Sequence, residues 1–370
     1  MVKPMRNYLT RKNVTIGIFA ILYVLIALWN NSSFYDLLRW TLFSTIPLAM
    51  VAMAGLYSER SGVVNIALEG IMMFGAFVGI LSLNNLQGSG IDGQFVLFLV
   101  VIIGGIAGLL FSLLHSYASI TMKSNQVISG TALNLLALAL AIFVGRALST
   151  SGTEEITFTD RFRIDGIPLL KDIPVLGDIL FTKFYLISLL GLVIFGIAAI
   201  VAYKTRFGLR LRACGENPHA ADAAGINVYK TRYFAVSISG LLAGMGGVIL
   251  IIPSSTSFKA SVYGYGFLAL AVLISGQWKP ARVLVFSFLF GFLMNLSNGI
   301  SMVQNAFNNL RANEGFMQSF YEGMYAFFRH LPRDIISMLP FLVTLLLLGL
   351  TSKNSQGPKA AGEPYDQGKR

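Results

Sequence analysis

The sequence predicts an all-α polytopic membrane protein, and two observations lead to that class. Of 370 residues, 55% are hydrophobic and only 12% are charged, whereas soluble domains carry about 25% charged residues. Apolar runs of roughly 17–25 residues, the length of a membrane-spanning helix, recur along the whole chain. Because lipid offers the backbone no hydrogen-bond partners, such runs cross a membrane as helices.

We expect about ten transmembrane helices, each long enough to cross the bilayer. They form a single domain over residues 1–350, and residues 351–370 follow as a cytoplasmic tail. The first run has no small-residue cleavage site after it, so it is expected to be a retained helix rather than a signal peptide. The predicted segments are 14–30, 41–57, 63–83, 95–117, 127–149, 184–202, 233–252, 263–277, 283–303 and 335–350.

The distribution of charge predicts the orientation. A cytoplasmic N-terminus places 18 of the 28 Lys and Arg residues, but only five of the 17 acidic residues, on the cytoplasmic side. This asymmetry is the positive-inside rule. We therefore expect a multi-pass protein of the cytoplasmic membrane with both termini in the cytoplasm. The net charge of +11 is explained by topology, so no nucleic-acid partner is expected.

Three segments between the helices are long. The outer loop 150–183 contains prolines and glycines and is expected to be compact and turn-rich. The outer loop 304–334 carries aromatic and aliphatic residues at helical spacing. It is expected to be an amphipathic helix at the membrane interface, and a lid over a binding partner is the alternative. The third segment, 203–232, is strongly basic.

Polar side chains inside the predicted helices are the candidates for a solute path. Asn65 and Glu69 are four residues apart and share one helical face; a carboxylate within a spanning segment is a candidate functional group. Ser129 and Asn134 belong to an uncharged polar stretch over 124–136, which suits a neutral hydrogen-bonding solute. The alternative for each of these residues is hydrogen bonding between helices.

No pattern for catalysis or for metal or cofactor binding stands out. The single Cys214 and three scattered histidines offer no metal-ligand spacing. The chain also lacks a GxxxxGK[ST] loop, so it is not expected to bind ATP phosphates itself. Any use of ATP requires a separate ATPase. No catalytic residue, metal or cofactor is therefore predicted.

The basic segment 203–232 combines two features. Topology explains its arginines, but not the run of alanines and glycine that follows the turn Glu216-Asn217-Pro218. This run predicts a short helix over 219–226, with Pro218 at its start, where a missing N–H costs nothing. Small side chains on a short helix suit close docking of a partner.

Four stretches together resemble the permease subunits of ribose, nucleoside and branched-chain amino-acid ABC importers, most closely the nucleoside type. GLRLRACGENPHAADAAGINVYKTR, followed by SISGLLAGMGGVIL, is similar to the coupling loop of these permeases. YSERSGVVNIALEGIMMFGAFVG and NQVISGTALNLLALAL resemble their membrane signatures, and the tail SKNSQGPKAAGEPYDQGKR is similar as well. Two segments match the family least well, namely 304–334 and QWKPAR at 277–282. At the position of QWKPAR the family more often has a Gly-rich turn.

The resemblance implies a type II-importer-like permease of a bacterial cytoplasmic membrane. Its partners would be two cytoplasmic ATPase domains, a second identical or paralogous permease, and an extracytoplasmic solute-binding lipoprotein. Nucleosides are the expected solutes, and ribose-type sugars or branched-chain amino acids are the alternatives. Asn65, Glu69 and Asn134 would lie near the solute path. The residues implied to dock into the ATPase are Glu216, Asn217, Ala220, Ala223, Ala224 and Gly225.

Two other classes of protein fit the residues less well. An ion-coupled secondary transporter would need several intramembrane charges, and Glu69 is the one acidic residue that falls within a predicted segment. A membrane-embedded enzyme would need a nucleophile with a base, or a metal site.

Overall fold

Long helices dominate the computed structural model, which describes residues 32–148, 152–159, 162–166, 171, 173, 177–298 and 357–368, with scattered positions between 322 and 349. A π-helical turn, Tyr117–Thr121, extends the third helix. The α-helices described between residues 32 and 298 are α1 (Ser32–Arg60), α2 (Leu68–Gly88), α3 (Gln94–Ser116), α4 (Gln126–Leu148), α5 (Leu186–Lys204), α6 (Arg206–Glu216), α7 (Pro218–Ala223), α8 (Val228–Ser254), α9 (Tyr265–Ser275) and α10 (Pro280–Asn298).

Within the described residues, six helices are long and apolar enough to cross a membrane: α1 to α5, and α8. The apolar helices α9 and α10 are shorter. Eight of the predicted segments therefore overlap with helices, and the class of polytopic helical membrane protein is confirmed. The segment predicted at 63–83 becomes helical only at Leu68, so Asn65 and Glu69 do not share a helical face as predicted. The predicted segment 14–30 lies outside the described residues, as does most of 304–334. In the predicted segment 335–350, the nine described positions are helical. The count of about ten stays a prediction based on segment length.

The part of the predicted outer loop 150–183 that is described contains short strands. β1 (Ile156–Thr157) pairs antiparallel with β4 (Ser257–Phe258), and β2 (Arg163–Gly166) pairs antiparallel with β3 (Thr182–Tyr185). The sequence reading did not predict these strands, because two to four residues are too few for an alternating pattern to be recognised.

A seam of glycines brings α2, α3 and α8 into backbone contact. A methyl group added at Gly75 would lie 2.8 Å from the carbonyl oxygen of Gly104, and one added at Gly108 would lie 2.9 Å from the Cα atom of Gly244. Helices in lipid associate closely through such small residues. Gly104 lies beside Gly244, and Gly108 beside Gly240; α3 and α8 therefore run antiparallel. The glycines of these helices thus serve tight packing.

Replacing Gly244 should loosen this seam. In Gly244→Ala the added methyl group meets the Gly104 backbone, so the two helices must separate, at a cost of about 1–3 kcal/mol. We expect a lower midpoint of thermal unfolding for the purified protein in detergent. Gly196→Ala is the matched control, because no atom lies within 4 Å of the added methyl group and alanine is the better helix former. Equal midpoints for the two variants would contradict the packing role of the seam.

Candidate functional site

Most of the basic segments of the sequence lie together at one end of the helix bundle. We call it the basic end; it comprises residues 57–67, 117–125, 203–232, 275–282 and 357–368. Three contacts tie these segments together. Arg60 forms an ion pair with Glu216 at 3.2 Å, Lys123 forms one with Asp366 at 3.0 Å, and Gly357 packs against the indole of Trp278.

The predicted loop 203–232 is helical almost throughout, which corrects the expectation of a loop with one short helix. Its helices are separated by residues with capping side chains. Thr205 accepts from the N–H of Gly208 at the start of α6, Asn217 from that of Ala220 in α7, and Asn227 from that of Lys230 in α8. Each cap satisfies a backbone donor that a helix start leaves free. Pro218 is the first residue of α7, as predicted.

Helix α6 was not predicted, because its arginines suggested a solvated lead-in. It is amphipathic: Gly208, Leu211, Cys214 and Gly215 are buried, while Arg206 and Arg210 are exposed. Glu216, predicted as part of a turn, is the last residue of this helix.

The residues that the resemblance implies in ATPase docking lie together on one small exposed surface. Ala221 is buried beneath it and fixes the orientation of α7. Gly225 has φ +80°, a left-handed conformation that favours glycine, and it ends the turn after α7. The exposed surface consists of Glu216, Asn217, Ala220, Ala223, Ala224 and Gly225.

A groove of about 750 Å³ adjoins this surface between α6 and the start of α8. Ala224 and Gly225 form part of its wall. Leu209, which also lines it, is 63% exposed. The charged residues of its lining are all cationic: Arg206, Arg210 and Lys230. The groove is therefore suited to a partner that offers an apolar side chain and negative charge.

A chain of contacts connects α6 to three transmembrane elements. The Arg212 guanidinium lies 4.8 Å from the ring centroid of Tyr203, at the end of α5. The Tyr203 hydroxyl donates to the carbonyl oxygen of Trp278, between α9 and α10. The indole Nε1 of Trp278 donates to Glu59 Oε2 of α1 at 2.6 Å. The QWKPAR junction, which matched the family least well, thus supplies a buried tryptophan that joins these elements.

Between α1 and α2 the helical hydrogen-bond ladder is interrupted over residues 61–67, which we call the break. Most of its residues are buried, so its backbone groups need partners other than water. Side chains from other helices supply several of them. Gln126 accepts from the Val64 N–H at 2.7 Å, and His115 Nε2 lies 3.0 Å from the Val64 carbonyl oxygen. Because that oxygen only accepts, Nε2 carries the proton.

Two of the four predicted path residues form hydrogen bonds with backbone groups in or next to the break. Asn134 accepts from the N–H of Gly70 at 2.7 Å and donates to the carbonyl oxygen of Ile66 at 3.0 Å. Asn65 is fully buried; it accepts from the N–H of Ala67 at 3.1 Å and donates to Ser239 Oγ at 3.2 Å. Both amides therefore act as bridges between backbone and neighbouring helices.

The other two predicted path residues also have partners within the protein. The Glu69 carboxylate accepts from Gly264 N–H at 3.0 Å and Gly266 N–H at 2.6 Å, so it lies at the N-terminus of α9, where a helix dipole favours negative charge. The Ser129 hydroxyl lies 3.1 Å from His115 Nδ1. Asn65, Glu69 and Asn134 thus lie in the break or contact the break or the start of α9, whereas Ser129 contacts His115, which in turn bonds the break. His115 and Gln126 also bond the break. Gln126 lies in the polar stretch at the start of α4, which was the available signal, whereas His115 lies in the last turn of the apolar helix α3 and gave none.

A family model described as "Branched-chain amino acid transport system / permease component" matches residues 37–348. A nucleoside ABC transporter permease protein of Lactococcus lactis subsp. cremoris is 36% identical over 89% of this chain and 95% of that protein. A guanosine ABC transporter permease protein of Bacillus subtilis is 38% identical over 89% of this chain and 96% of that protein. A protein of Haloferax volcanii named as a candidate glucose ABC transporter permease is 34% identical over 70% of this chain and 75% of that protein. The resemblance found in the sequence motifs is confirmed, and the chain belongs to the family of branched-chain amino acid transport system permease components.

Proposed function

We propose that this chain is the membrane permease subunit of an ATP-binding-cassette importer of nucleosides. One observation carries the substrate class: relatives named as nucleoside and guanosine permeases are 36% and 38% identical to the chain over 89% of its length. The uncharged amide and hydroxyl groups near the break suit a neutral solute of this kind. A sugar is the second candidate, favoured by the relative named for glucose.

The basic end is the cytoplasmic end in this proposal. Its excess of Lys and Arg agrees with the positive-inside rule, and it carries residues 357–368, so the C-terminus is cytoplasmic too. The strands at the opposite end then face the outside, where a solute-binding lipoprotein would release the solute to the permease. A second permease subunit and two ATPase domains complete the transporter.

Docking of the ATPase takes place at the surface of α7 and the adjoining groove. The methyl groups of Ala220, Ala223 and Ala224 let a partner backbone approach closely, and the cations of the groove attract acidic groups. The contacts of Arg212, Tyr203, Trp278 and Glu59 support transmission of a displacement to α1, α5 and α9. ATP binding would in this way shift the population between inward-open and outward-open states.

Uptake by the assembled transporter tests the proposed function. Cells that lack nucleoside uptake are given this chain with its ATPase, partner permease and binding protein, and entry of radiolabelled guanosine is measured. We expect ATP-dependent uptake that excess unlabelled nucleoside blocks and that ribose and leucine do not. Absence of guanosine entry, with ATP-dependent entry of labelled ribose or leucine in its place, would reassign the solute. Concentrative uptake by this chain without the ATPase would instead indicate an ion-coupled transporter.

The docking surface is tested at Ala224, which is exposed and borders the groove. Ala224→Arg adds a bulky cation where a partner must approach, so ATP-driven uptake should fall at least about tenfold, equivalent to about 1.4 kcal/mol of lost docking. Ala224→Ser keeps the residue small and should retain uptake. Gly225 is less suitable for this test, because its positive φ strains any side chain. Full uptake by Ala224→Arg would exclude this surface from coupling.

The solute path is tested at Asn134 by separating stability from selectivity. Asn134→Ala leaves Gly70 N–H and the Ile66 carbonyl oxygen without their partner, at a cost of about 1–3 kcal/mol. If Asn134 also contacts the solute, the KM for guanosine relative to that for cytidine should change. Thr131→Ala is the control, because this exposed hydroxyl bonds only carbonyl oxygens of its own helix. A lower unfolding temperature with unchanged relative KM would make Asn134 purely structural.

A further inference from the structure

Residues 357–368, which the sequence predicts as part of a plain cytoplasmic tail, cross the basic end and bind several of its elements. We call them the tail clamp. The Ala360 N–H donates to the carbonyl oxygen of Gly215 in α6 at 2.9 Å, and the Gly362 N–H donates to that of Gly62 in the break at 3.2 Å. Neither helix nor strand forms between 357 and 368, so the contacts with other segments hold these residues in place.

A buried arginine joins the tail clamp to the break and to α8. Arg232 is only 1% exposed. Its Nε donates to the Ser61 carbonyl oxygen at 3.1 Å, and its Nη1 donates to the Glu363 carbonyl oxygen at 3.0 Å. A buried guanidinium is costly unless its donors are satisfied. Release of the tail clamp would remove one of these acceptors, so Arg232 favours the docked arrangement.

Tyr365 anchors the tail clamp against the proposed coupling helix α7. Its side chain is 3% exposed and belongs to a small apolar cluster with Cys214, Ala221 and Val228. Its ring centroid lies 5.2 Å from that of His219 in α7 and 5.4 Å from that of Tyr229 in α8. The next residue, Asp366, forms the ion pair with Lys123, which ties the far end of the clamp to the segment after α3.

Helix α7 has little hold of its own on the bundle. It is six residues long, and Ala221 is its one buried residue. Ala221 packs in the same apolar cluster as Tyr365, and the ring of His219 contacts the ring of Tyr365. A force applied to α7 would bend its flanking turns unless something fixed it to the longer helices. The tail clamp supplies this attachment through Tyr365.

We propose that the tail clamp is a positioning element for ATPase coupling, with Tyr365 as its main positioning residue. It fixes α7 to α8 and to the break, so that movement of a docked ATPase displaces the transmembrane helices instead of the loop alone. This inference rests on the proposed function, namely that α7 receives the ATPase.

Two pairs of full-length variants test the tail clamp in the assembled transporter. Tyr365→Ala removes the ring, and Tyr365→Phe keeps it. Ala360→Glu places a carboxylate at a position that is 4% exposed, and Lys359→Glu places the same charge at its exposed neighbour. We expect Tyr365→Ala and Ala360→Glu to lower the solute imported per ATP hydrolysed about tenfold, with the amount of assembled complex unchanged. Tyr365→Phe and Lys359→Glu should match the wild type.

Cys214, the single cysteine of the chain, reports whether the tail clamp has moved. It is buried beside Tyr365, and burial raises the pKa of its thiol, so alkylation by N-ethylmaleimide should be slow in the wild type. The rate should rise in Tyr365→Ala and Ala360→Glu and stay low in the two controls.

The inference is overturned if the thiol becomes reactive while import per ATP stays at the wild-type value. It is equally overturned if both variants lose import with the thiol still protected, since the loss would then not come from release of the clamp. Failure of the proposed function looks different, because the wild-type transporter itself would then import no nucleoside.

Discussion

The break at residues 61–67 sets the main physical constraint on this structure. A membrane helix satisfies its own backbone, whereas a buried stretch without a helical ladder must obtain every partner from elsewhere. Here the last turn of α1 supplies some partners, and the others come from Gln126, His115 and Asn134 on two other helices and from Arg232 near the start of α8. The polar side chains within these apolar helices are thereby explained. They form a hydrogen-bonded frame around the break.

The same break joins the membrane bundle to the basic end. Its first residues, Ser61 and Gly62, accept from Arg232 and from Gly362 of the tail clamp. Arg60, directly before them, pairs with Glu216 at the start of the docking surface. In the proposed mechanism, a displacement of α6 and α7 would pass through these contacts to the point where α1 and α2 meet. The proposed docking surface and the candidate path residues are thus joined by hydrogen bonds and an ion pair through the break.

The parts of the fold that depend on local sequence could be predicted, and the long-range contacts could not. Apolar length predicted eight helices, and an alanine run after Asn217-Pro218 predicted the short helix α7, because caps and prolines act within a few residues. Asn134 meets Ile66 across 68 positions, and Arg232 meets Glu363 across 131, distances at which residue type carries no pairing information. The tail clamp was missed because its composition is polar. The one sequence feature that indicated a buried contact there was Tyr365, a large aromatic residue within the polar stretch.

Hydrogen–deuterium exchange of the full chain in lipid nanodiscs tests most directly whether the break, the helices α6 and α7 and the tail clamp form one unit. The informative amides are those of Ala360 and Gly362, which donate to α6 and to the break. We expect them to exchange as slowly as the amides of Val63 and Val64, since release of one part exposes the others. Exchange of residues 357–368 at the rate of an unstructured chain, with the break still protected, would contradict this account.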